Sequence, residues 1–249
     1  MTNSKPHKER LDALLVSRGL ELTRTRAQAR ILAGDVLVGE HRVDKPGTQV
    51  SVDAVLRIKE NSIPYVSRGG FKLEAAIQKW PAQIAGAICL DVGASTGGFT
   101  DVLLKNGAKH VFAVDVGYGQ LAYQLRQDAR VTSMERTHML KVPRGTFNPT
   151  PTIGTIDVSF ISLLKVLPAV LGHLAPAAVI YALIKPQFEV GPEQVGKGGI
   201  VRDENARAMA LQKVLDCAQA QGLHLLGYAE SPITGTDGNV EYIAGWKVP

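Results

Sequence analysis

The chain has 249 residues, of which 45% are hydrophobic and 20% are charged, and its net charge is +5 at neutral pH. This length and composition exclude a disordered chain and suffice for one large domain or two smaller ones. Two cysteines are too few for a disulfide framework, so we expect a reducing compartment and a cytoplasmic protein. The first residues, MTNSKPHKERLDA, lack the apolar core of a signal peptide.

A pair of helices is predicted near the N-terminus. Leu11, Leu14 and Leu15 recur at helical spacing, and Gly19 is placed to end that helix. The pattern predicts a second helix over residues 24–33, followed by short strands. This part of the chain therefore reads as a small α+β domain.

The domain limits follow from a polar, proline-containing stretch at residues 60–68, which predicts a linker. We expect a tail, a small α+β domain, a linker and a larger α/β domain, at residues 1–7, 8–60, 61–68 and 69–249 respectively.

Nearly all of the net charge lies in the first 30 residues, which contain seven basic and three acidic side chains. A solvated helix face would carry such charges without any ligand. Alternatively, the arginines form a surface that binds the phosphates of a nucleic acid and releases counterions. The candidate phosphate-binding residues are Arg10, Arg18, Arg24, Arg26, Arg30 and, just before the second domain, Arg68.

The stretch AICLDVGASTGGFT at residues 87–100 predicts a buried strand, a glycine-rich turn and the start of a helix. Its spacing differs from the dinucleotide fingerprint G-x-G-x-x-G. It is closer to the D/E-x-G-x-G-x-G loop of S-adenosylmethionine (SAM) methyltransferases, with serine at the second glycine. A glycine-rich turn without a ligand is the plain alternative. The candidate cofactor-binding residues are Asp91, Gly93, Ser95, Thr96, Gly97, Gly98 and Phe99.

Strands and helices alternate after this loop, which predicts an α/β sheet with helices on both faces. Ligands of such sheets bind at the carboxyl ends of the strands. Asp115 ends the second strand, where a carboxylate can accept hydrogen bonds from both ribose hydroxyls. Val116 follows it, and Thr137 follows the third strand, where it could reach the adenine.

Two more polar residues lie at the same predicted edge. A fourth strand is expected over residues 156–163 and carries Asp157, whereas Lys185 follows the apolar fifth strand. Residues 166–184 are long enough to suggest a membrane span, but prolines and a glycine interrupt them. We expect instead a helix ending near Leu174 and then a buried strand.

Two family resemblances add to these patterns. The segment RLDALLVSRGLELTRTRAQARILAGDVLV resembles the S4 domain, a small RNA-binding module. This likeness implies that structured RNA is bound by the arginine-bearing second helix. The ordered motifs VSRGGFKLE, LDVGASTGGFTD, VDVGYGQL, DVSFISL, LIKPQFE, VGKGGIVRD and GNVEY resemble the TlyA family. Its members were called haemolysins and join an S4 domain to a methyltransferase similar to the FtsJ ribose 2′-O-methyltransferases.

The TlyA resemblance implies a Rossmann-like, mostly parallel methyltransferase sheet with an antiparallel last strand. It further implies SAM-dependent methylation of a ribose 2′ oxygen in ribosomal RNA, of the cytidine type, with rRNA or a ribosomal subunit as partner. The implied catalytic tetrad is Lys72, Asp157, Lys185 and Glu241. From spacing alone, Lys72 is no more than a surface lysine. No metal ion and no integral membrane segment are expected, and the oligomeric state stays open.

Three other functions stay open at this stage. A haemolysin or other membrane-active protein would need a span or an amphipathic basic helix, and only residues 166–184 come close. An RNA-binding protein with an inactive methyltransferase domain is a second alternative, although all four tetrad residues are present. A nucleotide-dependent oxidoreductase would require a different glycine spacing.

Overall fold

The computed structural model describes residues 7–21, 23–58, 64–235 and 238–249, and the chain divides into two units, residues 1–64 and 65–249. In the first unit, two helices pack on short antiparallel strands, as expected for a small α+β domain. Leu11, Leu15 and Ile31 are wholly buried in its core. Its elements are β1 (Lys8–Arg10), α1 (Leu11–Ser17), α2 (Arg24–Ala33), β2 (Val36–Val38), β3 (His41–Arg42), β4 (Gln49–Ser51) and β5 (Leu56–Ile58).

The second unit alternates strands and helices. Its strands are β6 (Ile88–Val92), β7 (His110–Val114), β8 (Val131–Met134), β9 (Ile153–Ile156), β10 (Val179–Ile184), β11 (His224–Glu230) and β12 (Tyr242–Lys247). Its helices are α3 (Gly70–Lys79), α4 (Gly98–Lys105), α5 (Tyr123–Arg126), α6 (Leu163–Leu171) and α7 (Glu204–Ala220). Short 3₁₀ turns lie at Met139–Lys141, Pro186–Phe188 and Pro192–Gln194.

Among the described residues, these seven strands form one sheet in the order β11-β12-β10-β9-β6-β7-β8. The five strands from β10 to β8 are parallel to one another, whereas β12 is antiparallel to both of its neighbours. One apolar core contains residues of α3 and α4, and a second contains residues of α6 and α7. The predicted α/β sheet with an antiparallel last strand is confirmed.

The sequence pattern placed the fourth strand several residues too far toward the C-terminus. The prediction was residues 156–163, but β9 covers Ile153–Ile156 and residues 157–162 form a loop. The alternating apolar residues after Ile156 suggested a strand, yet Phe160 has a φ of 62°, which is incompatible with extended backbone. Asp157 consequently stands directly after the strand.

Two further segments bear on the predictions. No helix within the described residues is long and apolar enough to cross a membrane, and residues 166–184 divide into α6, a turn and β10. Residues 65 and 66 of the predicted linker are bound to the second unit. The hydroxyl of Tyr65 donates to Glu74 (2.8 Å) and the N–H of Val66 donates to Asp101 (2.8 Å).

Candidate active site

The sheet register brings three charged residues to one edge. Asp157 and Lys185 directly follow β9 and β10, which are parallel neighbours. Glu241 directly precedes β12, which runs antiparallel to β10 so that Ile184 lies opposite Tyr242. Because the end of β10 adjoins the beginning of β12, Lys185 and Glu241 lie side by side, with Asp157 one strand further along.

Lys185 and Asp157 form an ion pair at this edge. Nζ of Lys185 lies 2.6 Å from Oδ1 of Asp157 and donates a hydrogen bond to Oγ of Ser159 (3.0 Å). Among the described residues, the buried Oδ1 of Asp157 has no partner with hydrogen-bond geometry, so its contact with Lys185 is one of charge and proximity. The pair therefore holds the Lys185 amine in place, while Oδ1 of Asp157 can still accept a hydrogen bond.

Lys72 and Glu241 form a second ion pair. Nζ of Lys72 lies 2.5 Å from Oε2 of Glu241, and the two side chains are only 9% and 3% exposed. The interpretation of Lys72 as a surface lysine is therefore wrong. Gly235 packs on the carboxylate, since a Cβ there would lie 2.1 Å from Oε1 of Glu241. The four residues implied by the TlyA resemblance thus stand as two ion pairs.

The glycine-rich turn between β6 and α4 carries three residues with positive φ, Gly93, Ser95 and Gly97, and the first two line the cavities. Gly93 has a φ of 84°, and a Cβ on it would lie 2.3 Å from the carbonyl oxygen of Asp157. Ser95 also adopts a positive φ, of 47°, a conformation that favours glycine. Its hydroxyl donates to Gln120 (3.3 Å) and does not cap α4, whose N-cap residue is Gly97.

Asp115 is fixed by the backbone of two turns. Its Oδ2 accepts a hydrogen bond from the N–H of Ser95 (2.7 Å), and its Oδ1 accepts one from the N–H of Gly117 (2.6 Å). Each oxygen keeps a further lone pair. The carboxylate is therefore oriented in advance and can still accept hydrogen bonds from a diol.

Two cavities flank the glycine-rich turn and share Gly93, Ser95 and Asp157. The larger, of about 580 Å³, is within the size range of small-molecule sites and is lined by Val116 and Thr137, among others. The smaller, of about 120 Å³, is also lined by Ser67, Gly69, Thr96, Gly98 and Phe99. Most candidate cofactor residues thus lie around one continuous region.

Of the candidate cofactor residues, Asp91 of β6 and Gly97 of the turn line neither cavity. Asp91 is wholly buried and accepts hydrogen bonds from Thr100 (2.6 Å) and Thr155 (2.9 Å). Burial raises the pKa of its carboxyl to about 6. The side chain of Asp91 therefore supports the turn through Thr100 and Thr155, and its contact with a cofactor stays a prediction.

Arg10 and Arg24 of the first unit share one partner within that unit, Asp12. Asp12 is wholly buried and accepts hydrogen bonds from Arg10 (3.0 and 2.9 Å), Arg24 (3.0 Å) and Gln28 (2.8 Å). The Arg10 hydrogen bond, aided by Gln28 and Arg24, holds the pKa of the Asp12 carboxyl well below its usual range. Arg24 is still 55% exposed and keeps free faces of its guanidinium for a phosphate.

The remaining candidate arginines differ in their surroundings. Arg18 donates to the carbonyl oxygens of Ala54 (2.6 Å) and Val52. Arg30 is only 25% exposed and pairs with Glu21 (2.9 Å) and Asp35 (3.7 Å). Arg68 is exposed at the beginning of the second unit, whereas the side chain of Arg26 lies outside the described residues.

Sequence patterns missed one exposed aromatic residue at the larger cavity. Phe160 is 92% exposed, lines that cavity close to Asp157, and its ring centroid lies 5.3 Å from that of Phe188. The alternating run around it suggested a buried strand position. The only sequence signal for this exposed position was that Phe160 follows Asp157 by three residues.

Comparison with known proteins identifies both units. Residues 65–248 match the FtsJ-like methyltransferase family model, and residues 9–56 match the S4 domain model. YqxC of Bacillus subtilis, named as a proposed rRNA methyltransferase, is 50% identical over 237 residues, which cover 95% of this chain and 84% of that protein. The 16S/23S rRNA (cytidine-2′-O)-methyltransferase TlyA of Mycobacterium tuberculosis is 46% identical over 94% of this chain and 87% of its own. The chain belongs to the TlyA family of FtsJ-like methyltransferases.

Solved structures agree with membership in the TlyA family. A proposed hemolysin from Streptococcus thermophilus is 43% identical and covers 98% of this chain and 90% of its own, with a TM-score of 0.75. The haemolysin name thus recurs among TlyA relatives that share this fold.

Proposed function

We propose that this protein is a SAM-dependent methyltransferase that acts on a cytidine ribose 2′ oxygen of ribosomal RNA. The observation that carries the proposal is the arrangement of two ion pairs, Lys185–Asp157 and Lys72–Glu241, at the strand ends beside the glycine-rich turn. The activity named for the Mycobacterium tuberculosis relative supports the choice of rRNA and cytidine.

The residues around the turn fit SAM. Gly93 has no room for a Cβ, and the buried Oδ1 of Asp157 lacks a hydrogen-bond partner among the described residues. Asp115 would accept hydrogen bonds from the ribose of SAM, and Val116 and Thr137 would hold its adenine side. The methionine end would lie against Ser95, Thr96, Gly98 and Phe99. When bound, SAM would supply a methyl group already activated by its sulfonium.

The two ion pairs suit proton removal from a ribose hydroxyl. Such a hydroxyl is a weak acid, and it must lose its proton as the oxygen is methylated. Nζ of Lys185 is the candidate acceptor because Asp157 and Ser159 hold it in place. Lys185 accepts a proton only as the neutral amine, so the ammonium that pairs with Asp157 in the resting site must first release a proton to solvent. Base assistance of this kind contributes about 10²–10⁴-fold.

Lys72 and Glu241 would position the ribose next to Lys185. Both are buried and paired, so their rotamers are fixed before any substrate binds. Correct orientation of the reacting groups can remove ~7–11 kcal/mol from a barrier. A complete and ordered tetrad is an argument against an inactive methyltransferase domain.

Phe160 provides support for a nucleotide substrate. Aromatic side chains that protrude into solvent stack on unpaired RNA bases, at about 1–3 kcal/mol per base. Phe160 is exposed at the larger cavity and its neighbour Phe188 supports its ring. The S4 unit, with Arg10 and Arg24 held on Asp12, would bind RNA phosphates.

A transfer assay with a matched lysine pair tests the proposal. Purified protein is incubated with methyl-labelled SAM and ribosomal subunits from cells that lack the gene. We expect the native protein and Lys165→Ala, a variant at an exposed lysine of α6, to label rRNA equally. Lys185→Ala should label it at least ~10²-fold more slowly while calorimetry finds SAM binding intact. Equal labelling by Lys185→Ala would remove Lys185 from the mechanism, and absence of labelling by the native protein would refute the proposed function.

A further inference from the structure

Glu189 is a buried carboxylate that the mechanism above does not use. It is 6% exposed and follows Lys185 after the 3₁₀ turn Pro186–Phe188. Its Oε2 accepts a hydrogen bond from the hydroxyl of Ser162 (2.6 Å), and its Oε1 accepts one from the N–H of Leu163 (2.7 Å). Both carboxylate oxygens therefore point at the beginning of α6.

The beginning of α6 is satisfied from two different loops. The first N–H groups of a helix have no partner within the helix. The hydroxyl of Ser162 accepts a hydrogen bond from the N–H of Leu164 (3.2 Å), which is the usual N-cap contact. Glu189 adds the N–H of Leu163 and places a negative charge at the positive end of the helix dipole.

Glu189 thereby joins the two loops that carry the candidate catalytic residues. The first loop, residues 157–162, begins with Asp157, and the second, residues 185–189, begins with Lys185. At their beginnings the loops meet through Lys185, Asp157 and Ser159. At their ends they meet through Glu189, and the rings of Phe160 and Phe188 meet between those contacts.

A third element fixes Glu189 itself. Nζ of Lys213 in α7 donates a hydrogen bond to the backbone oxygen of Glu189 (3.2 Å). The backbone of Glu189 is therefore anchored to α7 while its carboxylate reaches α6. Because both its backbone and its carboxylate are held, Glu189 can keep the two loops at a fixed distance from each other.

We propose that Glu189 is a positioning residue that sets the distance between Asp157 and Lys185 by tying their loops together. The inference rests on the proposed function for its kinetic consequence. Capping accounts for only one of the two side-chain contacts of Glu189, because its other carboxylate oxygen accepts from the hydroxyl of Ser162, which already caps α6 at Leu164. Glu189 belongs to the loop that begins with Lys185 and contacts the end of the loop that begins with Asp157. It therefore couples the ends of β10 and β9.

Two substitutions and one control separate positioning from stability. Glu189→Ala removes the tie. In Glu189→Gln, the amide oxygen can accept from Leu163 and the amide nitrogen can donate to Ser162, so the tie is kept. The control is Asp203→Ala, which removes the carboxylate that accepts from the N–H of Ala206 (2.9 Å) at the start of α7. All three are compared with the native chain in melting temperature, kcat, KM for SAM and amide hydrogen exchange.

We expect Glu189→Ala to lower kcat by up to ~10²-fold, the effect of a small misplacement of reacting groups, with KM for SAM within about twofold of native. Glu189→Gln should restore most of kcat. Asp203→Ala should lower the melting temperature about as much as Glu189→Ala and keep native kcat. Amide exchange at Leu163 and Leu164 should accelerate in Glu189→Ala alone.

Native kcat in Glu189→Ala, or an equal loss of kcat in Asp203→Ala, would overturn the inference. If Glu189→Ala does not fold, Ser162→Ala removes one half of the tie and is judged by the same criteria. If the native protein methylates no rRNA, the proposed function fails, and the exchange rates decide the tie separately. Unchanged exchange at Leu163 and Leu164 in Glu189→Ala would then refute it.

Discussion

Nζ of Lys185 lies 2.6 Å from Oδ1 of Asp157, and the two residues directly follow the adjacent parallel strands β10 and β9. The sheet therefore brings both side chains to one edge, while the distance between them also depends on the loops that they begin. We expect Asp157→Asn to keep the fold, since the amide is nearly isosteric, and to slow methyl transfer by about 10²–10³-fold by removing the charge that orients Lys185. Single-turnover transfer measures the effect, and circular dichroism checks the fold. A native rate in this variant would show that the charge of Asp157 is dispensable.

The Lys72–Glu241 pair gives a prediction about stability and activity together. Removing one partner of a buried pair leaves an uncompensated charge and costs roughly 3–5 kcal/mol. We therefore expect Lys72→Met and Glu241→Gln each to lower the free energy of unfolding by several kcal/mol. The double variant Lys72→Met with Glu241→Leu should recover most stability but not methyl transfer. Denaturant unfolding and transfer assays are compared, and recovery of both would make the pair structural only.

The raised pKa of Asp91 predicts a pH dependence of stability. Below pH 4 the carboxyl is protonated in both folded and unfolded chains, so it contributes no difference. Between about pH 4 and pH 6 the unfolded chain loses this proton while the buried carboxyl retains it, so stability falls as pH rises. Asp91→Asn should lack this loss, which is on the order of 2–3 kcal/mol.

Denaturant unfolding from pH 4 to pH 7 measures the difference between the native chain and Asp91→Asn. Asp128→Asn is the control, because hydrogen bonds from Arg130 lower the pKa of that near-surface carboxyl. Its effect should have the opposite sign and a small size, since surface charges are screened. Parallel curves for native chain and Asp91→Asn would show that Asp91 is not the titrating group.

Arg24 and Arg30 should differ in RNA binding although both lie in α2. Arg24 is half exposed, so it can contact a phosphate, whereas Arg30 is mostly buried and paired with Glu21. Each lost phosphate contact reduces the slope of log affinity against log salt by about 0.7–0.9. Arg24→Gln should therefore flatten that slope by nearly one, and Arg30→Gln should change mainly the melting temperature. Titrations of rRNA fragments at several salt concentrations measure both slopes; a larger change in Arg30→Gln would contradict this assignment.

Local signals in the sequence predicted many of the elements well. The helix α2 has its predicted limits because Gly34 ends it, and α7 begins after Asp203, whose carboxylate caps it. The strand β9 was misplaced because nothing in an apolar alternation reveals that Phe160 adopts a positive φ. Backbone strain at a functional loop is a tertiary property.

Most contacts of the candidate site could not be predicted from local sequence patterns, because they join residues that are far apart in the chain. Lys72 and Glu241 are 169 residues apart, so spacing gave no reason to pair them, and only the family resemblance did. Glu189 ends the LIKPQFE motif, but that motif does not reveal its contacts, because they depend on where α6 begins. Asp12 in α1 likewise accepts hydrogen bonds from Arg10 of β1 and Arg24 of α2, which a charge count treats as free surface charges.

The position of the methyl group on the RNA distinguishes a ribose 2′-O-methyltransferase from a base methyltransferase. Ribosomal RNA treated with the purified protein and SAM is digested to nucleosides and short fragments, which are examined by mass spectrometry. We expect 2′-O-methylcytidine at a defined position with the native protein and Lys165→Ala, and at least ~10²-fold slower formation of it with Lys185→Ala. A methyl group on a base, or equal 2′-O-methylation by Lys185→Ala, would contradict this expectation.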